Sequence, residues 1–193
     1  MKEQESLYYN KVYDCGGLDK TYHKHYSQSR YIKIWNEALE IIKEIKNCNI
    51  LDIGCGAGQF ANLLFDNNIK SYVGIDFSKV AINLAKKTNA PYKEKFLLHN
   101  IYTSDVYKQE YNTVTILEVL EHLEKDIDVL EKIKPKSNVI FSVPNYGGKG
   151  HVRYFNNISE IINRYKGFVK IKEIFEYTME GSNKIYLVNS IKI

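Results

Sequence analysis

The chain has 193 residues, 44% of them hydrophobic and 26% charged, which is the make-up of a globular domain and excludes a disordered or fibrous chain. Its 27 basic and 23 acidic side chains leave a formal charge of +4 with the lysines scattered, so composition writes in neither a nucleic-acid track nor a membrane-surface patch. Three cysteines, Cys15, Cys48 and Cys55, lack metal-type pair spacing and exclude a disulfide framework. No apolar run approaches the ~20 residues of a membrane span, and the polar start Met1-Lys-Glu-Gln-Glu-Ser6 has no signal-peptide core, so the expected setting is cytoplasmic.

In chain order, residues 1–26 are rich in tyrosine and histidine, lack helical periodicity, and read as an N-terminal arm or lid; residues 27–193 read as a single domain. The pair His23 and His25 in Tyr22-His-Lys-His-Tyr26 has no identifiable ligand partners, which favours a lid over a metal site. From Ser27 to Lys46, Ile32, Trp35, Leu39, Ile42 and Ile45 recur at near-helical spacing and predict one amphipathic helix. Strands and helices then alternate: strand Asn49–Ile53, helix Gly58–Asp66, strand Ser71–Ile75, helix Lys79–Lys87, strands Lys95–Leu98 and Asn112–Leu117, helix Glu124–Lys132, strand Asn138–Val143. Such alternation implies a mostly parallel sheet with helices on both faces, because parallel neighbours need crossover connections. After Pro144 come a glycine-rich loop, a short helix near Ser159–Tyr165, and two β-patterned runs, Phe168–Tyr177 and Lys184–Ile191, that read as a hairpin.

The first strand runs straight into Gly54, Gly56 and Gly58 and then into a helix. Glycine lets backbone approach a ligand, and the following helix offers unpaired N–H groups, so this is a cofactor loop; Cys55 within it reads as a space-filler. The spacing is shared among nucleotide folds, and the second strand narrows the choice. Tyr72-Val-Gly-Ile-Asp76-Phe77 ends in an acid about twenty residues after the loop, where a carboxylate can accept hydrogen bonds from both ribose hydroxyls. An acid at the start of the next helix is the structural alternative for Asp76.

Three segments together resemble the class I S-adenosylmethionine-dependent methyltransferases: Asp52-Ile-Gly-Cys-Gly-Ala-Gly58, Gly74-Ile-Asp76-Phe77-Ser78, and Tyr111-Asn-Thr-Val-Thr-Ile-Leu-Glu-Val-Leu-Glu-His122. The resemblance covers about residues 49–145 and is nearest to small O-methyltransferases of the ubiquinone pathway. It implies a Rossmann-like seven-stranded sheet with a reversed final strand and S-adenosylmethionine as methyl donor. Carried onto this chain, Gly54, Gly56 and Gly58 lie against the methionine part and ribose, Asp76 binds the ribose hydroxyls, and Phe77 lies against adenine. Where relatives often carry an Asp toward the adenine amino group, this chain reads His99-Asn100-Ile101, so Asn100 and Ile101 take that place. Asp52 orients the loop or meets the donor's amino group, and Glu118 faces the cofactor.

In two branches of the family, a group similar to Glu118-Val-Leu-Glu121-His122 holds a divalent ion beside the acceptor hydroxyl. The resemblance therefore carries Glu118, Glu121, His122 and, from the later loop, His151 as candidate ligands of Mg2+ or Mn2+. In metal-free relatives the same segment stabilises the following loop, and then His151 and His122 are the catalytic candidates, with His151 as general base. Tyr146, Arg153 and Tyr154 are expected to shape the acceptor pocket, Arg153 by pairing with a carboxylate or phosphate. With almost no insertion after the fifth strand, the expected acceptor is a small molecule or sugar precursor, methylated on oxygen rather than nitrogen. A protein, a glycan tail, an RNA end, or cofactor binding without turnover are the alternatives; nucleic acid and membrane are not expected partners, and monomer and homodimer both remain open.

Overall fold

The computed structural model describes residues 2–17 and 20–193; within the expected arm, Met1, Leu18 and Asp19 lie outside the described residues. Seven strands, β1 (Ile50–Ile53), β2 (Tyr72–Asp76), β3 (Phe96–Leu98), β4 (Thr113–Leu117), β5 (Asn138–Pro144), β6 (Val169–Thr178) and β7 (Lys184–Lys192), form a sheet in the order β3-β2-β1-β4-β5-β7-β6. This is the Rossmann-like α/β class that the alternating pattern implies, with the final strand reversed against β5. The described residues divide into two compact units, one within residues 4–104 and the other of residues 105–193 together with 2–3.

In residues 4–104, β1 pairs with β2, and β2 with β3, all parallel. All four residues of β1 are buried, which is why Ile50-Leu-Asp-Ile53 reads as a continuous apolar run with one acid in it. The helices are α1 (Ser6–Asp14), α2 (Ile32–Lys43), α3 (Gln59–Asp66) and α4 (Lys79–Thr88). The expected helix from Ser27 begins only at Ile32, because Tyr26–Gln28 form a separate 3-10 turn. Its buried face is Ile34, Ala38, Leu39 and Ile42, rotated from the predicted stripe; Trp35 lies on the flank, its ring 6.2 Å from that of Phe60. Ser78 caps α4 by accepting a hydrogen bond from the Ala81 N–H, and Lys86 and Lys87 sit in its last turn, where the helix dipole favours cations. Phe65, Tyr72 and Phe96 meet edge-on or tilted at 5.4–6.3 Å as an aromatic core beside β2.

The arm departs from expectation. Ser6–Asp14 is a helix of nine residues, although it has no side-chain cap and no buried residue. Its half-buried positions include Tyr8, Tyr9, Val12 and Tyr13, a face made largely of tyrosine, and a helix this short takes its order from the contacts it makes rather than from propensity.

In the second unit, β4 and β5 are parallel, and β7 runs antiparallel to both β5 and β6, which makes the two terminal runs the hairpin expected. The β6–β7 register shifts between Ile171 and Glu173, a local bulge. Phe141, Phe155 and Tyr165 pack together at ring separations of 5.2 and 5.7 Å. The helices are α5 (Asp126–Lys132) and α6 (Ile158–Tyr165). Asn157 accepts from the Glu160 N–H while Glu160 accepts from the Asn156 N–H, a reciprocal cap at the start of α6. Among the described residues, no helix is long and apolar enough to cross a membrane.

Candidate functional site

The loop between β1 and α3 is held open by backbone geometry. Gly54, Gly56 and Gly58 adopt φ of 77°, 53° and 73°, and the Gly54 and Cys55 N–H groups donate to the Ile75 carbonyl at 2.8 and 3.0 Å, carrying the β1–β2 ladder into the loop. Asp76, 5% exposed, sits at the end of β2. One carboxylate oxygen accepts from the Gly56 N–H at 3.1 Å and the other from the Ser78 N–H at 2.8 Å. Burial raises its pKa to about 6 against the lowering effect of those N–H groups. The Phe77 N–H also bears on this carboxylate, which as an acceptor-only group retains capacity of the kind a ribose hydroxyl requires.

Asp52 is also buried, and its carboxylate accepts the Tyr72 hydroxyl proton at 2.7 Å. Gly74 makes that contact feasible: a Cβ there would lie 2.5 Å from the Tyr72 oxygen. Tyr72 was not singled out by sequence, yet it stands two residues before Gly74 on one strand face, which is the signal that would have found it. Cys55 is buried and its thiol pushed well up, first by burial and then by Asp76, so it remains the protonated space-filler expected. Asn100 is exposed, and its side-chain oxygen accepts from the Tyr102 N–H at 2.8 Å, an Asx-turn; Ile101 beside it is half-buried.

A second cluster lies within residues 105–193. Glu121 and His122 occupy the 3-10 turn Leu120–His122, and the Glu121 carbonyl accepts the Val152 and Arg153 N–H groups, which fixes the loop bearing His151. The ligand-type atoms of Glu121, His122 and His151 all lie within 4.8 Å of one another. With the rings in the tautomer that carries the proton on Nδ1, His122 donates to the Gly150 carbonyl at 3.0 Å and His151 to that of Tyr146 at 3.1 Å, and the His122 Nε2 lies 3.8 Å from a Glu121 carboxylate oxygen. The Glu121 carboxylate is fully buried, neither oxygen has a hydrogen-bond partner among the described residues, and burial lifts its pKa to about 8. Burial also lowers both histidines, His151 to about 4.

The cluster therefore unites three of the four expected ligands. Glu118 is not in it: its carboxylate accepts from the Ser142 hydroxyl, whose oxygen accepts from the Glu118 N–H, both at 2.8 Å. Glu118 has φ of 57°, a left-handed backbone that costs a non-glycine residue energy and marks the strand end as constrained.

Arg153 departs from its expected role toward an acceptor. Its guanidinium donates to the carbonyls of Leu120, Leu123 and Glu124 and lies 3.4 Å from the buried Asp126 carboxylate, so it staples the Glu121 turn from within. Asp126 is also gripped by Arg164 at 2.6 and 2.8 Å and by the Tyr165 hydroxyl at 2.9 Å. His23 and His25 join no metal-type cluster among the described residues; His23 pairs with the Tyr13 carbonyl and His25 with Ser27.

A family model described as a methyltransferase domain matches residues 23–170. The chain is similar to the ubiquinone biosynthesis O-methyltransferase of Hydrogenovibrio crunogenus, 27% identical over 65% of this chain, and to the mitochondrial one of Schizosaccharomyces pombe, 30% identical over 73%. It spans 56% and 57% of those relatives' own length. Among solved structures, the [4+2]-cyclase SpnF superposes with a TM-score of 0.75 at 11% identity, covering 100% of this chain and 98% of that one, a likeness of fold alone.

Proposed function

The chain belongs to the family of methyltransferase domains, and from that premise we propose that it transfers the methyl group of S-adenosylmethionine to a hydroxyl oxygen of a small acceptor, phenolic or sugar-like. The observation that carries the reading is Asp76, buried beneath the glycine loop with both oxygens fixed by backbone N–H groups and still able to accept from a ribose. Loop and acid together suit an adenosyl donor. The preference for oxygen rests on the relatives named O-methyltransferase and on the second cluster, whose chemistry suits activation of a hydroxyl. A cytoplasmic setting belongs to the same reading.

A methyl sulfonium is a strong electrophile. Transfer forms the O–CH3 bond as the S–CH3 bond breaks; sulfur keeps the electron pair, and the hydroxyl proton must leave. His151 alone is a weak recipient, since a ring whose conjugate acid has a pKa of about 4 holds a proton poorly. The donor set fits a divalent cation better: a buried carboxylate with no hydrogen-bond partner among the described residues and two imidazoles oriented by backbone carbonyls bring one oxygen and two nitrogens within 4.8 Å of one another. Glu121, His122 and His151 would hold it, and two imidazoles favour Mn2+ over Mg2+. When bound, such an ion supplies Lewis acidity that lowers the pKa of a hydroxyl. The protein's own part is to keep both rings neutral and their Nδ1–H groups anchored, and Arg153 holds the turn on which Glu121 sits.

The test is transfer of a labelled methyl group from S-adenosylmethionine to a panel of phenols, sugars and amines, with Mn2+ or with a chelator. Methylation of hydroxyls that falls with chelator and in Glu121→Gln is the expected result. Labelling confined to amines overturns the oxygen assignment, and no transfer despite donor binding overturns turnover itself.

A further inference from the structure

Within residues 4–104, three residues of α1 lie against the features that define the donor loop. The Asn10 side-chain oxygen accepts from the Ser78 hydroxyl at 2.8 Å and from the Val80 N–H at 3.3 Å, reinforcing the start of α4. The Tyr9 ring stands 5.4 Å from Phe77, on the side chain expected to meet adenine. Tyr13 reaches furthest: a Cβ at Gly56 would lie 2.7 Å from its hydroxyl, so the glycine in the middle of the loop is the one on which a phenol rests. Burial and the Asp76 carboxylate raise the Tyr13 pKa well above its ordinary value, which keeps the phenol neutral and its O–H a donor.

Alone, α1 has little to keep it in place. Nine residues without a side-chain cap make a helix that is marginal in water, so its docking depends on contacts with the rest of the chain, these among them. It is followed by Gly16 and Gly17, both at φ of 82°, a backbone pair able to absorb a change of direction.

On the reading of this loop as the site of an adenosyl donor, we infer that α1 is part of that site: Tyr9 and Tyr13 roof it, and the Asn10–Ser78 contact is a latch that sets how fast the donor enters and leaves. The helix lifts to admit the donor and closes on it, the Tyr13 hydroxyl then facing ligand in place of bare glycine backbone. Tyr13 and Tyr9 thereby join the donor-binding residues, and Asn10 acts through the helix as a positioning residue.

The experiment is stopped-flow binding of S-adenosylhomocysteine to the full chain, paired with hydrogen exchange of residues 6–14. The two variants read different steps. Asn10→Ala raises association and dissociation rates together by about fivefold, with little change in affinity, as expected for loss of the two hydrogen bonds that Asn10 accepts at the latch. Tyr13→Phe raises dissociation about fivefold and leaves association as it was. In the unaltered protein, ligand slows exchange across 6–14. Wild-type rates in both variants, or exchange in 6–14 indifferent to ligand, overturn the inference while leaving the donor reading intact. Absence of binding by the unaltered chain removes the donor reading, and the inference falls with it.

Discussion

The two halves of the chain make their sites from different materials. In residues 4–104 the candidate donor site is mostly backbone: three left-handed glycines and two N–H groups held by one carboxylate, all within a short stretch around β1 and β2. In residues 105–193 the cluster is made of side chains from a turn and a distant loop, tuned by burial rather than by local geometry. A backbone site tolerates little change of residue but is electrostatically simple. A side-chain site can be switched by one proton, and its parts are separable by substitution.

The contrast is sharpest in the response to pH. Glu121 has a folded pKa of about 8 against 4.5 when free, so the folded state binds the extra proton and stability is lost as pH rises through 8. The histidines act oppositely and lower down: His151, depressed from 6.5 to about 4, contributes stability above 6.5 that is lost as pH falls. Between pH 6.5 and 8.5, in chelator, denaturant titration of the wild type is expected to show a loss of roughly 2 kcal/mol that Glu121→Gln does not show. Equal slopes in both proteins would mean that the carboxylate is not held neutral.

Arg153→Ala should destabilise by about 2 kcal/mol at neutral pH, because it leaves buried carbonyls at the Glu121 turn unpaired while Arg164 still neutralises Asp126. Mn2+-dependent shifts in melting temperature should shrink with it, since the turn is no longer pinned. In the other half, Tyr72→Phe leaves the buried Asp52 carboxylate without its phenol donor and should cost about 1 kcal/mol by the same denaturant measurement, with no change in Mn2+ response. The smallest effect belongs to Asn100→Ala: loss of an exposed Asx-turn should cost roughly 0.5 kcal/mol, with donor affinity changed less than about threefold by calorimetry. A larger loss of affinity would show that the Asn100 amide meets the adenine.

The same contrast governs what the sequence made legible. Strand and helix bounds from β1 to β7 fall within a residue or two of the periodic runs, because each element buries a face whose period the residues display. The glycine loop and Asp76 are local in sequence and equally plain. Glu121 and His122 could be named from a motif, but the link from His151 to that turn passes through the hydrogen bonds of Val152 and Arg153, which no spacing announces. The partners of Arg153 are hidden for the same reason: a loop arginine looks available until its guanidinium is seen bound to three carbonyls. The helix α1 escaped for a different cause: the face it turns to the chain is built mainly of half-buried tyrosines, and none of its residues is fully buried.

The most direct test of the central claim is calorimetric titration of S-adenosylmethionine into the full chain beside Asp76→Ala. One site of roughly micromolar affinity, weakened about 100-fold by the substitution, is the predicted result, the loss corresponding to two charge-assisted hydrogen bonds. No binding by the unaltered chain, or equal binding by Asp76→Ala, would contradict it.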